Sequence, residues 1–371
     1  MTMQAFETND FKIIRQIGKG NLGQVSLIKN KKTKLQFALK TFYKEYSKQE
    51  DRDNFLNQIR HIVSINYPSL LSPVYYGIPQ LNDHYFPTMM TEYFPNSSLD
   101  RILYNEQHSF VSNLWSDTKK YINLIGIAIA LRYLDSNNIV HSNLKPSNVI
   151  LDNNYYPLLC DYGFKPRNIN NIRGGPFYIA PEIFNSNSNY SSKSDVYSYS
   201  LIAYELVSNH FPRIKGATSQ EIIKNVKEGQ RPDLTFIKDD YFKQFLTKCW
   251  SSNPNHRPTF SEIVDILLEP QILKIFNEEI DKNEVNRYLA QFNEDSLHLK
   301  EKADRSRYIE AKIVLVGSQS ARNWIVSQYQ DKNDELSFNF FTKTYHTNTV
   351  FIKLVIWNCP SDDSNPFIHP M

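Results

Sequence analysis

Residues 139–163, IVHSNLKPSNVILDNNYYPLLCDYG, constrain the fold of this chain more than any other stretch. They read as the end of an apolar helix, a polar loop, a short pair of strands and a second polar turn. Folded that way, the two polar turns meet and bring Asn143, Lys145, Asn148 and Asp161 to one spot. Asn148 and Asp161 both offer oxygen, the donor a hard divalent cation requires. Lys145 can meet a phosphate oxygen. The plainer reading is a pair of solvated loops, because Asn, Asp and Lys are common turn residues. What precedes the stretch bears on that choice.

Residues 11–17 alternate enough for a strand and run into Gly18-Lys19-Gly20-Asn21-Leu22-Gly23-Gln24-Val25, with a second strand over 25–28. Glycines let the backbone approach a phosphate chain with no Cβ in the way. The loop sits between two strands, whereas a dinucleotide-binding turn leads into a helix. A plain glycine hairpin is the simpler alternative. After a basic turn, residues 36–41 form a third strand in which Ala38 and Lys40 share a face. The small Ala38 leaves room for a flat ring, and Lys40 can reach phosphates; a solvated edge lysine is the commoner fate. Phe55, Ile59, Ile62 and Val63 follow at helical spacing with Gln58 beside them. Strands are expected over 70–76 and 85–93, the second ending in a connector, Thr91 to Asn96. Helices are expected over 99–103 and 121–134.

With 371 residues, two domains are expected, and 41% hydrophobic with 22% charged residues suffices for a sizeable core. A net charge of +3 implies neither a nucleic-acid polyanion nor a membrane surface as partner. Three cysteines make no disulfide framework, which fits a reducing compartment. The N-terminal MTMQAFETNDF has no basic-then-apolar signal, and the helix expected at 121–134 is too short to span a bilayer, so a cytoplasmic protein is expected.

The order of these parts resembles the protein kinase family. The glycine loop (Gly18, Gly20, Gly23, Val25), the Ala38-x-Lys40 strand, HSNLKPSN where the family has HRDLKxxN, and DYG where it has DFG fall in the family's sequence. Downstream, Ala180-Pro181-Glu182 resembles APE, and Asp195-Val196-Tyr197-Ser198 resembles the start of its buried helix. Cys249-Trp250 with Arg257-Pro258-Thr259-Phe260 resembles the ending typical of tyrosine-kinase-like serine/threonine kinases. The resemblance implies an α+β, bilobal fold with a β-rich N-lobe and a helical C-lobe over residues 11–268, preceded by a short tail at 1–10. It implies ATP and Mg2+ as cofactors: Ile17, Gly18, Gly20, Gly23, Val25 and Ala38 around the nucleotide, Lys40 on its phosphates, Thr91 at the gatekeeper place, the backbone from Glu92 to Phe94 on adenine, and Asn148 and Asp161 on the metal. It also implies a buried Glu182–Arg257 ion pair and a helix cap at Asp195.

The departures concentrate on the hydroxyl-activating groups. The loop position that accepts the substrate proton is Asn143, an amide, and loss of a general base costs on the order of 10²–10⁴ in rate. The transition state is loose, so Asn143 can still orient a hydroxyl through its carbonyl. The helix glutamate expected to pair with Lys40 is Gln58, which forfeits a charge attraction of roughly 4 kcal/mol at close range. The loop arginine is Ser142, and residues 164–177 carry no Ser, Thr or Tyr, so the phosphate acceptor and its clamp are absent together. Gly175 stands where serine/threonine kinases have Thr, while Lys145 in LKPSN keeps their form. Two readings follow: a pseudokinase that binds Mg-ATP and signals through protein partners, or a slow but active serine/threonine kinase.

Residues 269–310 read as a charged helical linker with a solvated face. Beyond it, Ala311 to Gly317 and Phe351 to Trp357 resemble the first and third strands of a Ras-like small GTPase, so 311–371 reads as a truncated, degenerate α/β segment of that kind. Its phosphate loop has Arg322, Asn323 and Trp324 where Gly, Lys and Ser/Thr are needed, and its DxxG turn is Asn358-Cys359-Pro360-Ser361. GTP binding is therefore not expected.

Overall fold

The computed structural model describes residues 10–20, 22–63, 65–81, 84–110, 112–164, 176–185, 189–292, 308–315, 340–346 and 351–358. Two compact units divide the chain at residue 291/292.

The first unit opens with β1 (Phe11–Lys19), β2 (Gly23–Asn30), β3 (Gln36–Phe42), helix α1 (Gln49–Val63), β4 (Tyr75–Gly77), β5 (Gln80–Leu81), β6 (His84–Tyr85) and β7 (Thr88–Glu92). Five of these form one antiparallel sheet in the order β1-β2-β3-β7-β4, while β5 and β6 pair separately. β1 carries two irregularities in its pairing with β2, between Ile13 and Arg15 and between Gln16 and Gly18, the kind that bends a strand. The single strand expected over 85–93 is two: Pro87 has no N–H for a ladder, and its carbonyl accepts the Phe42 N–H at 2.9 Å instead. The strand expected over 70–76 is also shorter. Leu70 forms an isolated bridge with Leu159, and the sheet strand starts only at Tyr75. α1 buries Ile59 and Val63 and sets Phe55 edge-on to Phe42.

The helical part comprises α2 (Leu99–Gln107), α3 (Asp117–Ser136), a small hairpin of β8 (Val149–Leu151) and β9 (Pro157–Leu159), then α4 (Ser192–Ser208), α5 (Ser219–Lys227), α6 (Asp240–Cys249), α7 (Phe260–Leu267) and α8 (Lys282–Ala290). α3 and α4 are apolar around most of their circumference, the pattern of helices covered on all sides. The amide of Asn123 survives in that core because its Nδ2 donates to the carbonyls of Lys119 (2.9 Å) and Tyr155 (2.8 Å). Tyr199 on α4 donates its hydroxyl to the Leu124 carbonyl of α3 at 2.9 Å, locking the two together. Arg257, buried, forks onto Glu182 with bonds of 2.7 and 2.8 Å. A β-sheet N-lobe followed by a helical C-lobe is the expected kinase architecture. Asp195 differs from expectation: Ser191 and Ser194 form the capping box of α4, and Asp195 turns instead to the loop before β8.

The stretch expected to begin a solvated linker at 269 is also different. Ile272, Ile280, Val285 and Tyr288 are buried, while on α8 Lys282 and Arg287 stay exposed and Glu284 turns inward to pair with Lys119.

In the second unit, β10 (Tyr308–Leu315), β11 (Phe340–His346) and β12 (Phe351–Asn358) form a sheet in the order β10-β12-β11. β10 runs parallel to β12 and β11 antiparallel to it. The expected phosphate-loop positions 317–324 and turn positions 359–361 lie outside the described residues.

Candidate active site

A cleft of about 590 Å³ lies between the sheet and the helical part, and the residues expected around nucleotide, cation and substrate, Asn143, Lys145, Asn148 and Asp161 among them, line it. Strand register builds its roof. Gly18, Val25, Lys40 and Met89 stand in one cross-strand row, and Leu27, Ala38 and Thr91 in another. The loop between β1 and β2 closes through Gly20 N–H to the Gly23 carbonyl at 2.9 Å. A Cβ at Gly23 would lie 2.2 Å from the Thr41 carbonyl oxygen, so only glycine lets the hairpin approach β3. Thr91, Glu92 and Phe94 edge the cleft where β7 runs out. Burial, with the nearby Asp152 charge adding to it, pushes the Glu92 carboxyl above its usual range.

The floor is the stretch 139–163. Asp195 accepts the N–H of His141 at 2.7 Å and of Ser142 at 2.9 Å through its two oxygens. That clamp holds Ser142 in the left-handed region, φ 63°, and turns Asn143 into the cleft. His141 is fully buried, and desolvation drives its imidazole down to about 4, so the ring is neutral. Asn148 donates its Nδ2 to the Asn143 carbonyl at 2.7 Å, leaving its amide oxygen as the acceptor for a cation. The Asn148 carbonyl accepts from Cys160 N–H at 2.9 Å, tying the loop to the second turn. There Asp161 sits at φ 62° and Gly163 at φ 79°. A non-glycine residue in that region costs roughly 1–3 kcal/mol, and such strain persists where the surroundings hold it. Here Lys40 Nζ donates to Asp161 Oδ2 at 2.5 Å. Burial pushes the Lys145 ammonium down, while Asp161 pulls it back up.

Two hard oxygens, from the Asn148 amide and the Asp161 carboxylate, suit Mg2+, which takes few protein ligands and keeps waters and phosphates for the rest. The cleft volume lies within the range of nucleotide-sized pockets. Lys40 and the glycine loop line the same cleft. These parts recur together in one family, and the model of the protein kinase domain matches residues 11–267. The chain belongs to the protein kinase family. A probable serine/threonine-protein kinase of Dictyostelium discoideum is 28% identical over 267 residues, covering 70% of this chain and 19% of that protein. Ephrin type-A receptor 3 of Danio rerio is 29% identical over 276 residues, covering 70% of this chain and 27% of the receptor. The chain thus spans less than a third of the length of these relatives.

Within the kinase domain, Gln58's side chain and residues 165–175, with Gly175, lie outside the described residues. Sequence reasoning missed other cleft residues, among them Met89 and Ile150. Ile150 had a signal: Val149 and Leu151 are fully buried, and period-two alternation turns the residue between them to the cleft. Among the described residues no helix is long and apolar enough to cross a membrane.

Proposed function

We propose that this kinase-fold protein is of serine/threonine, tyrosine-kinase-like type, binds Mg-ATP, and works mainly as a catalytically impaired scaffold or allosteric partner in cytoplasmic signalling. The observation that carries this is Asn143, an amide at the cleft position where a carboxylate would accept the substrate proton. Mg-ATP, when bound, supplies the phosphoryl group. Lys40 and the glycine loop would hold its phosphates, Asn148 and Asp161 would hold the cation, and Thr91, Glu92 and Phe94 would edge the base. Asn143 can orient a hydroxyl through its amide oxygen but cannot take its proton.

Lys145 and the Lys40–Asp161 pair favour a second reading, a slow but active serine/threonine kinase. Radiolabelled Mg-ATP separates the two. Phosphate transfer by the full chain, onto itself or a generic basic protein, is compared with an Asp161→Asn control. Transfer above the control makes the protein an enzyme; none, in a sample that still binds ATP, leaves the nucleotide as a structural ligand. Loss of nucleotide-dependent thermal stabilisation would remove both.

For residues 311–371 the proposal is a degenerate Ras-like segment that does not bind GTP. It is supported by the parallel pairing of β10 with β12, with β11 antiparallel on the far side, and by the loss of the phosphate-loop Gly and Lys at Arg322 and Asn323. Its role would be contact with protein partners, through an edge strand.

A further inference from the structure

The family match ends at residue 267, yet the next two dozen residues are built into the same unit. Asp117 Oδ2 accepts the N–H groups of Asn277 and Glu278, each at 2.9 Å, and Thr118 Oγ1 accepts that of Asp281 at 2.9 Å. Asp281 caps α8, whose Glu284 pairs with Lys119 and accepts the Tyr156 hydroxyl at 3.0 Å. At the end of this path the Tyr288 hydroxyl reaches Ser69 Oγ at 2.7 Å, with both residues buried. The hydroxyl occupies space that opens only because residue 126 is glycine: a Cβ there would lie 2.0 Å from it.

Ser69 is one bond from the site. Its carbonyl accepts the Leu159 N–H at 2.9 Å, and Leu159 in turn accepts the Leu71 N–H at 2.9 Å. Leu159 is followed by Cys160, bonded to Asn148, and then by Asp161. The two candidate cation ligands therefore hang from a strand whose neighbour is fastened by Tyr288. We infer that residues 270–290 form a strap that sets the position of Asn148 and Asp161, with Tyr288 as a positioning residue acting through Ser69 and Leu159. The effect on nucleotide affinity rests on the Mg-ATP reading proposed above; the effect on the strand does not.

The test uses the full chain with Tyr288→Phe, which deletes one oxygen and keeps the ring, and Ser69→Ala as an independent removal of the same bond. Hydrogen exchange is followed at residues 157–161 and, for reference, in α4. Mg-ADP affinity is measured alongside. Both variants are expected to speed exchange at 157–161 and to weaken Mg-ADP by about threefold to tenfold, the range one buried hydrogen bond supports. The double variant should be no worse than either single one. Exchange that is unchanged, or that rises equally in α4, overturns the inference, as does unchanged affinity in variants of a protein that binds Mg-ADP. A wild-type chain that binds no Mg-ADP sinks the nucleotide reading and the affinity claim with it, and the exchange at 157–161 then decides whether Tyr288 positions the strand.

Discussion

Lys40 and Asp161 meet at 2.5 Å across the cleft, and their side chains are only 13% and 18% exposed. The pair joins β3 of the N-lobe to the strained turn after β9, so the two sides of the cleft are held by one charge-assisted bond. It also engages the carboxylate that a cation would need. A cation held by Asp161 would share the carboxylate with Lys40, whose bond takes Oδ2.

Asp161→Asn is expected to abolish the gain in ATP affinity that Mg2+ gives, because the cation loses its charged ligand. Lys40→Ala should weaken ATP by about tenfold or more, the loss of a hydrogen bond to a charged group. Thermal shifts with ATP, with and without Mg2+, measure both. An Asp161→Asn protein that responds to Mg2+ like the wild type would remove Asp161 from the cation site.

Asn143→Asp should raise phosphate transfer by on the order of 10²–10⁴ where the missing proton acceptor is the main obstacle. Initial rates with radiolabelled ATP decide the matter. An unchanged rate in a variant that binds ATP normally would move the defect to the Lys40 side of the cleft.

Much of this was legible in the sequence because it is local. The glycine hairpin, the Ala38-x-Lys40 face and the ordered loop motifs each depend on a few neighbouring residues, and register then carries them to one place. The misreadings came from contacts made at long range. Asp195 looks like a cap because it opens a helix, but its partners are backbone amides more than fifty positions earlier. Residues 270–290 look like a solvated linker because their charge is dense, and only the cover that α3 provides shows which residues turn inward. Pro87 is a partial exception: a proline inside an expected strand was itself the warning.

Arg257→Ala is expected to destabilise the kinase domain by about 3–5 kcal/mol, because it leaves the Glu182 carboxylate half-buried without its forked partner. In a domain of this size that corresponds to a fall in Tm on the order of 10 °C. Arg257→Lys should recover little, since an ammonium cannot make both bonds of the fork. A melting curve for Arg257→Lys that overlays the wild type would show that charge alone suffices there.

Glu205 sets a pH dependence whose sign is fixed by burial. The carboxyl lies inside α4's packing, accepts the Tyr178 hydroxyl at 2.8 Å, and is pushed up to about 7 mainly by desolvation. In the unfolded chain it ionises near 4.5. Between those values the folded state holds a proton that the unfolded state has released, so this group costs stability as pH rises through the window, and the cost levels off above about 7. Asp195, pushed up to about 7 by burial, acts in the same direction. His141, pushed down to about 4, acts oppositely: the unfolded chain takes up the proton, so its contribution rises with pH up to about 6.5. Comparing Glu205→Gln with the wild type at each pH cancels those two terms. The glutamine oxygen can still accept from Tyr178, and the variant carries no charge to desolvate. Its stability relative to the wild type should therefore improve between pH 5 and pH 8, by on the order of 1–3 kcal/mol. Urea unfolding at both pH values measures the difference. An equal gap at the two would mean that Glu205 is already ionised in the folded protein, and that the Tyr178 hydroxyl outweighs its burial.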